Sequence, residues 1–398
     1  PQGDMSILRE VGIKACLEQE FSVEPVISIP GPVMDMLRLI GRPRPLVRAK
    51  FLEKAIGTPA RIWLKLEDKS PTGSHKLNTA VPQAHFAREE GFKGMVTETG
   101  AGQWGTALAC AGALQGIPVS VFWVDAMYGA KPERLDFMRL YGAKVFASPS
   151  METECGRRLR AQNPEHRGSL GIAISESVEY AKANGFCCAI GSVMNHVLLH
   201  QTVIGLEAYE QAREAGFYPD YVVSCFGGGS NFGGLAIPFI YDFLLKLNSK
   251  PIKFVAAQSA SAPNLTGTYE YEHPDHEGIL PKFRMRTLGR NWEGAPIAGD
   301  GLRYHGASPL LSYIMEKYPR LFEVMVFPSD EREIFAAAQT TLNCTGRLLA
   351  LESAHAMAAT IRLAERAKQE NKTCDILTIL SGHGLLDMAA YRKHCLTG

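Results

Sequence analysis

The chain has 398 residues, 46% of them apolar and 21% charged, which is ordinary globular usage at a length suited to two packed lobes rather than one small domain. Lysine and arginine number 42 against 41 acids, a formal net charge of +1, so no global basic field exists to recruit nucleic acid or an anionic membrane. Pro1–Glu18 lacks the unbroken apolar core of a secretory signal and reads as mature protein, and the longest apolar stretch, Val178 to Ile190, is interrupted by Glu179, Lys182 and Asn184, which argues against membrane insertion.

Taken in chain order, Arg61–Leu66 predicts a strand, and Lys76–Glu90 an amphipathic helix ended by Gly91. Gly94–Thr97 predicts a short strand, Gly105–Gln115 a helix of small residues, and Val119–Val124 another strand. Lys131–Tyr141 predicts a helix, and Lys144–Ala147 the next strand. The alternation of strands with helices of about three turns is the mark of a parallel sheet covered on both faces. The second half repeats it, with helix His200–Ala215, strand Tyr221–Cys225, helix Asn231–Leu247, strand Phe254–Gln258, helices Glu331–Leu342 and Ser353–Gln369, and strand Asp375–Leu380. Tyr269–Gly301, rich in glycine, proline and charge without periodicity, predicts a long irregular segment covering a site. The expectation is an α/β protein of two three-layer lobes with mostly parallel sheets.

Four segments at strand ends carry chemistry. In Ser70-Pro71-Thr72-Gly73-Ser74-His75-Lys76-Leu77-Asn78 a turn of small residues places Lys76 at a helix start, where the helix dipole disfavours its charge. It is either a solvated lysine or an amine made nucleophilic toward an aldehyde. In Thr97-Glu98-Thr99-Gly100-Ala101-Gly102-Gln103-Trp104-Gly105 a glycine-rich turn at a helix N-terminus offers backbone N–H groups to a carboxylate, and Glu98 is placed either to move a proton or to cap the helix. The run Gly227-Gly228-Gly229-Ser230-Asn231 forms a cradle for a single phosphate, with side-chain bonds from Ser230 and Asn231. Phe232 stands where a dinucleotide fingerprint needs glycine. Ser381, in Ser381-Gly382-His383-Gly384, is either a turn serine or a hydroxyl set against a pyridine nitrogen, which it would leave neutral. His196 and His200 are spaced to share a helix face but lack the flanking glutamate of a zinc site, so no metal is expected. The nine cysteines, odd in number and without a C-x-x-C pair, read as a reduced, cytoplasmic protein.

Together SPTGSHKLN, ETGAGQWG, GGGSN, LESAHA (Leu351–Ala356) and SGHG resemble the fold-type II pyridoxal-phosphate enzymes, most closely the tryptophan synthase β-subunit, in that family's order from Arg42 to Tyr391. Ser192–Glu207, GAGQWG and GLRYHG (Gly301–Gly306) resemble its divergent second class, often called TrpB2, rather than the class that partners an α-subunit, which makes an α-type partner doubtful. The resemblance implies pyridoxal 5'-phosphate on Lys76, with His75, Asn78, Ser192, Gly227, Gly228, Gly229, Ser230, Asn231, Glu352 and Ser381 around it. It further implies that Thr99, Gly100, Ala101, Gly102, Gln103 and Trp104 hold the substrate carboxylate, and that Glu98 assists the leaving group and the nucleophile. The smaller lobe would be residues 75–192, and the larger one 1–74 with 193–398. The activity implied is β-replacement through an aminoacrylate, in a cytoplasmic homodimer acting on an amino-acid donor and a small nucleophile: indole with L-serine or O-phospho-L-serine. The alternatives are a paralogue with another nucleophile, deamination of serine or threonine, or a non-catalytic cofactor carrier. Arg303 stands where the main class has an aspartate, which suits an anionic leaving group such as phosphate or else a latch to Asp300.

Overall fold

The computed structural model describes residues 1–248 and 250–396. The chain first lays down β1 (Leu46–Arg48) and β2 (Arg61–Leu66) as an antiparallel pair. It then leaves them to build a separate sheet from β3 (Met95–Thr99), β4 (Val119–Val124), β5 (Lys144–Ser148) and β6 (Cys187–Cys188), parallel throughout and ordered β5-β4-β3-β6. On its return it adds β7 (Tyr221–Cys225) and β8 (Lys253–Ser259), a hairpin of β9 (Thr268–Glu272) and β10 (Phe283–Thr287), then β11 (Phe322–Phe327) and β12 (Asp375–Leu380). The larger sheet is ordered β1-β2-β12-β7-β8-β11 and is parallel apart from β1. Every residue of β4 and of β12 is buried, the uniform burial of strands covered by helices on both faces. The architecture is mixed α/β with mostly parallel sheets, as the alternation predicts.

The predicted strands fall where expected, with ends moved by one or two residues. β3 runs on to Thr99, so Glu98 lies inside the strand end, and the following helix begins at Gln103. The helix predicted from His200 begins earlier, as Asn195–Gln201 followed by Val203–Glu214. The segment Tyr269–Gly301 is not irregular throughout, since it contains most of the β9–β10 hairpin. In β10, Phe283, Met285 and Thr287 are buried while Arg284 is exposed and Arg286 partly so. Arg284 lies over the Tyr269 ring. That alternation is a strand signal of period two, masked by the charge content of the stretch. Elements beyond those predicted include the edge strand β11 and the helix Leu170–Asn184, which buries Ile172, Ala173, Val178 and Ala181. His196 Nδ1 pairs with Glu20 at 2.9 Å, and His200 bridges Gln19 and Thr79. These two histidines dock the N-terminal helix Lys14–Glu20 against the body. Among the described residues no cluster of metal-ligating side chains occurs, and no helix is long and apolar enough to cross a membrane.

Candidate active site

Lys76 closes the SPTGSH turn and caps the helix Leu77–Glu89. Its Nζ looks into an internal cavity of about 110 Å³ and has one long contact, 3.5 Å to the Gly191 carbonyl. Desolvation lowers its pKa, opposed by the carboxylates of Glu98 and Glu352. Glu98 lines the same cavity. Burial pushes its carboxyl up to about 7, against the N–H group of its own residue, the Thr97 hydroxyl where it donates, the charge of Lys76 and the N–H group of Gly191. An amine moved down and a carboxyl moved up in one cavity bring both toward neutral pH, where proton transfer is cheapest.

The segment Thr99–Trp104 forms one wall of the cavity. Gly102 adopts φ +91° and opens the helix Gln103–Gln115; a Cβ there would also meet the Trp123 ring at 2.8 Å. The loop carbonyls are held from behind: that of Gly100 accepts from Trp123 Nε1 at 2.7 Å, and that of Ala101 from Arg134. The first-turn N–H groups of the helix have no intrahelical partners, and those of Gln103 and Trp104 remain for an anion. Thr99 Oγ1 accepts from the Gly105 N–H at 3.2 Å, so this hydroxyl shapes the turn. Trp104 was expected to hold substrate, but its indole is turned back: Nε1 donates to Thr97 Oγ1, and the ring lies so close to Gly191 that a Cβ there would sit 2.3 Å away.

On the opposite side, β7 leads into Gly227–Asn231 and the helix Ser230–Leu244, with Gly229 at φ +106°. The Gly227 carbonyl accepts from Asn264 Nδ2 and that of Gly228 from the Ser308 N–H, again pulling the carbonyls outward. A Cβ on Gly228 would lie 2.2 Å from Ser192 Oγ, so glycine is what lets these two segments meet. The Asn231 amide nitrogen is spent on Ser224 Oγ and Cys225 Sγ, and its Oδ1 is buried without a partner. An acceptor oxygen does not bond a phosphate, contrary to the expectation; it suits a hydroxyl.

Ser381 follows β12; its Oγ lies 2.8 Å from Ser353 Oγ. His75 Nδ1 approaches the Ser381 carbonyl at 3.4 Å, burial lowers its pKa to about 3, and Nε2 has no partner. Glu352 joins three segments, accepting from the Gly301 N–H at 2.9 Å and from Gln103 Nε2 at 3.1 Å. Asn78 is not brought to the cavity. Its side chain is taken up by Arg42, Glu67 and Gln201 in a buried network, so it anchors the helix behind Lys76.

Arg303 separates the inner cavity from an outer cleft of about 610 Å³, and donates to Asp300 Oδ1 at 2.8 Å and to the Gly294 carbonyl at 2.9 Å. A second, smaller chamber adjoins Glu98 on the far side and is walled by Leu8, Ile174, Ile190, Met194 and Leu280, all shared with the first. Two groups that matter here carry no local signal in the chain. Asp387 binds Lys131 and Arg134, and Thr97 touches Glu98. Both act only through contacts between segments far apart in the chain or through side-chain orientation, for which no local pattern exists.

The comparisons agree with one another. A family model described as pyridoxal-phosphate dependent enzyme matches residues 37–382. A tryptophan synthase beta chain 1 of Sulfurisphaera tokodaii is 47% identical over 98% of this chain and 90% of its own length. A tryptophan synthase beta chain 2 of Pyrococcus furiosus is 48% identical over 98% and 86%. Among solved structures, processed threonine deaminase isoform 2 from Solanum lycopersicum covers 100% of this chain and 90% of its own at TM-score 0.65 and 19% identity. Maize serine racemase covers 91% and 98% at TM-score 0.61 and 18% identity. At such identity these two speak for the fold alone.

Proposed function

The chain belongs to the family of pyridoxal-phosphate-dependent enzymes, and from that premise we propose that it catalyses β-replacement on an amino acid, making tryptophan from indole and L-serine or O-phospho-L-serine. The observation that carries this reading is the pairing of Lys76 and Glu98 across one cavity, each displaced by burial toward neutral pH.

The residues present fit the cofactor. Lys76 Nζ offers a weakly held amine for the aldehyde, and the Gly227–Ser230 turn at a helix N-terminus offers backbone donors for the phosphate. The orphaned Oδ1 of Asn231 suits the ring hydroxyl, Ser381 the ring nitrogen, and the unpaired Nε2 of His75 lies in the same surroundings. Ser192 and Glu352 complete the set. Bound there, pyridoxal phosphate supplies the electron sink that lets the bonds at the α- and β-carbons of an amino acid break.

The chain's own residues do the rest. N–H groups of Thr99–Gln103 orient the substrate carboxylate, with Gln103 fixed through its side chain by Glu352. Lys76 Nζ takes the α-proton and later returns it. Glu98, protonated below about 7, gives its proton to the leaving group and as a carboxylate takes one from the incoming nucleophile. A hydroxyl donor at Ser381 leaves the ring nitrogen neutral, which favours loss of the β-substituent over transamination. Arg303 would meet an anionic leaving group on the outer side. The apolar chamber beyond Glu98 favours an apolar nucleophile over water, hence replacement over deamination. All nine cysteines are unpaired, which supports a reducing, cytoplasmic setting, and the resemblance adds a homodimer without an α-type subunit.

The test is to supply the holoenzyme with L-serine or O-phospho-L-serine, with and without indole, and to quantify tryptophan against pyruvate. Tryptophan as the main product with indole present is expected. Pyruvate alone would support deamination instead, and no product with either donor would leave only a cofactor carrier.

A further inference from the structure

Thr97 Oγ1 has three neighbours within 3.1 Å, and two of them have fixed polarity. The indole N–H of Trp104, which can only donate, reaches it at 2.5 Å. The carbonyl oxygen of Ala189, which can only accept, lies 2.6 Å away; the carbonyl of Glu98 is more distant at 3.3 Å. A threonine hydroxyl has one proton and two lone pairs. The proton goes to Ala189 and one lone pair to Trp104, so a single lone pair is left. It meets the third neighbour, Glu98 Oε2, at 3.1 Å. An ionised carboxylate there sets oxygen against oxygen with no proton between them, whereas a protonated carboxyl donates a hydrogen bond.

We propose that Thr97, oriented by Trp104 and Ala189, is a positioning residue that holds Glu98 in its protonated form, so that the acid is loaded before the leaving group departs. This rests on reading Glu98 as the proton-transfer group. Thr97, Trp104, Ala189 and Glu98 are all buried, so bulk water does not compete for the hydroxyl. The other titratable groups facing Glu98 are Lys76, whose charge favours the carboxylate, and Cys188 and Tyr304, which burial keeps neutral. The charge of Lys76 and the N–H groups of Glu98 and Gly191 pull toward ionisation, and the Thr97 hydroxyl would do the same if it donated to the carboxylate; with its proton given to Ala189 it acts against them. The arrangement also accounts for the turned-back indole of Trp104.

The test follows the Glu98 carboxyl itself, by isotope-edited infrared titration of the holoenzyme, beside the pH profile of kcat/KM. Thr97→Val keeps the shape and removes both proton and lone pair. It should lower the Glu98 pKa by about 0.5–1 unit, the worth of one neutral hydrogen bond. The limb on which activity falls with rising pH should move down equally, and Thr97→Ser should restore both. A raised pKa would mean that Thr97 donates to the carboxylate, and an unmoved one that it is structural only; either result overturns the proposal. If the valine variant does not fold, Thr97→Ala also lacks the hydroxyl and must give the same downward shift. Full turnover by Glu98→Gln would remove the proton-transfer reading by itself, and the proposal with it, whatever the titration shows.

Discussion

Replacing Asp387 with asparagine removes one negative charge from between two cations at nearly constant volume. Oδ1 of Asp387 lies 3.0 Å from Lys131 Nζ and 2.8 Å from Arg134 Nη2, with side-chain exposures of 1%, 9% and 1% respectively. The variant would leave both cations buried without a counter-ion. Removing one partner of a buried pair costs about 3–5 kcal/mol, and the second cation places the expectation at the upper end. At about 1.4 kcal/mol per factor of ten, the folded-to-unfolded ratio should fall by roughly two to three and a half powers of ten. Arg134 also holds the Ala101 carbonyl, so the KM for the amino acid should rise more than kcat falls. The assay is denaturant unfolding of both proteins at neutral pH and again in acid. Burial opposes ionisation of Asp387, but Lys131 and Arg134 outweigh it and hold the carboxyl below its ordinary value. Its contribution is therefore complete above the unfolded value of about 3.9 and is lost as pH falls through the depressed folded one. The gap between wild type and Asp387→Asn should be widest near pH 7 and close in strong acid. A loss below about 1 kcal/mol, the range of exposed pairs, or a gap that ignores pH would refute the reasoning.

Four further outcomes are expected. Lys76→Ala should lose multiple-turnover activity and the visible band of the bound cofactor while its circular dichroism stays native; sustained turnover would sink the assignment. Glu98→Gln should slow departure of the leaving group or capture of the nucleophile by about 10²-fold or more in pre-steady-state measurements, the scale of a positioned acid–base group. Ser381→Asp should stabilise a protonated ring nitrogen and divert flux to other products, seen as a changed cofactor spectrum and product ratio. Arg303→Ala should cost roughly tenfold to a hundredfold with O-phospho-L-serine and little with L-serine, the worth of one charge-assisted bond. An equal loss with both donors would show that the 2.8 Å pair with Asp300 is only a latch.

The parts of this molecule readable from sequence are those whose signal is local. Strands β2, β4, β7 and β12 were bounded as found, because a buried parallel strand is an apolar run between turns. Lys76, Glu98 and the two glycine-rich turns stood out for the same reason: each occupies a strand-to-helix junction. Side-chain direction was not readable. Nothing in TETGAGQWG says that the indole of Trp104 folds back onto Thr97, or that the amide of Asn231 is spent on Ser224 and Cys225. Asn78 sits two residues after Lys76, yet the helix turns it toward Arg42 and Glu67, away from the cavity. The β9–β10 hairpin was hidden by composition, and the Asp387 cluster joins residues some 250 positions apart.

The two oxygens of Glu352 fasten two walls of the cavity to one another. One holds the Gly301 N–H at the root of the segment carrying Arg303, and the other holds Gln103 on the opposite wall. A single carboxylate thus spans the gap like a bolt through two leaves of a door. Each leaf hangs on its own oxygen, so shortening this one side chain to aspartate would unfasten both walls together.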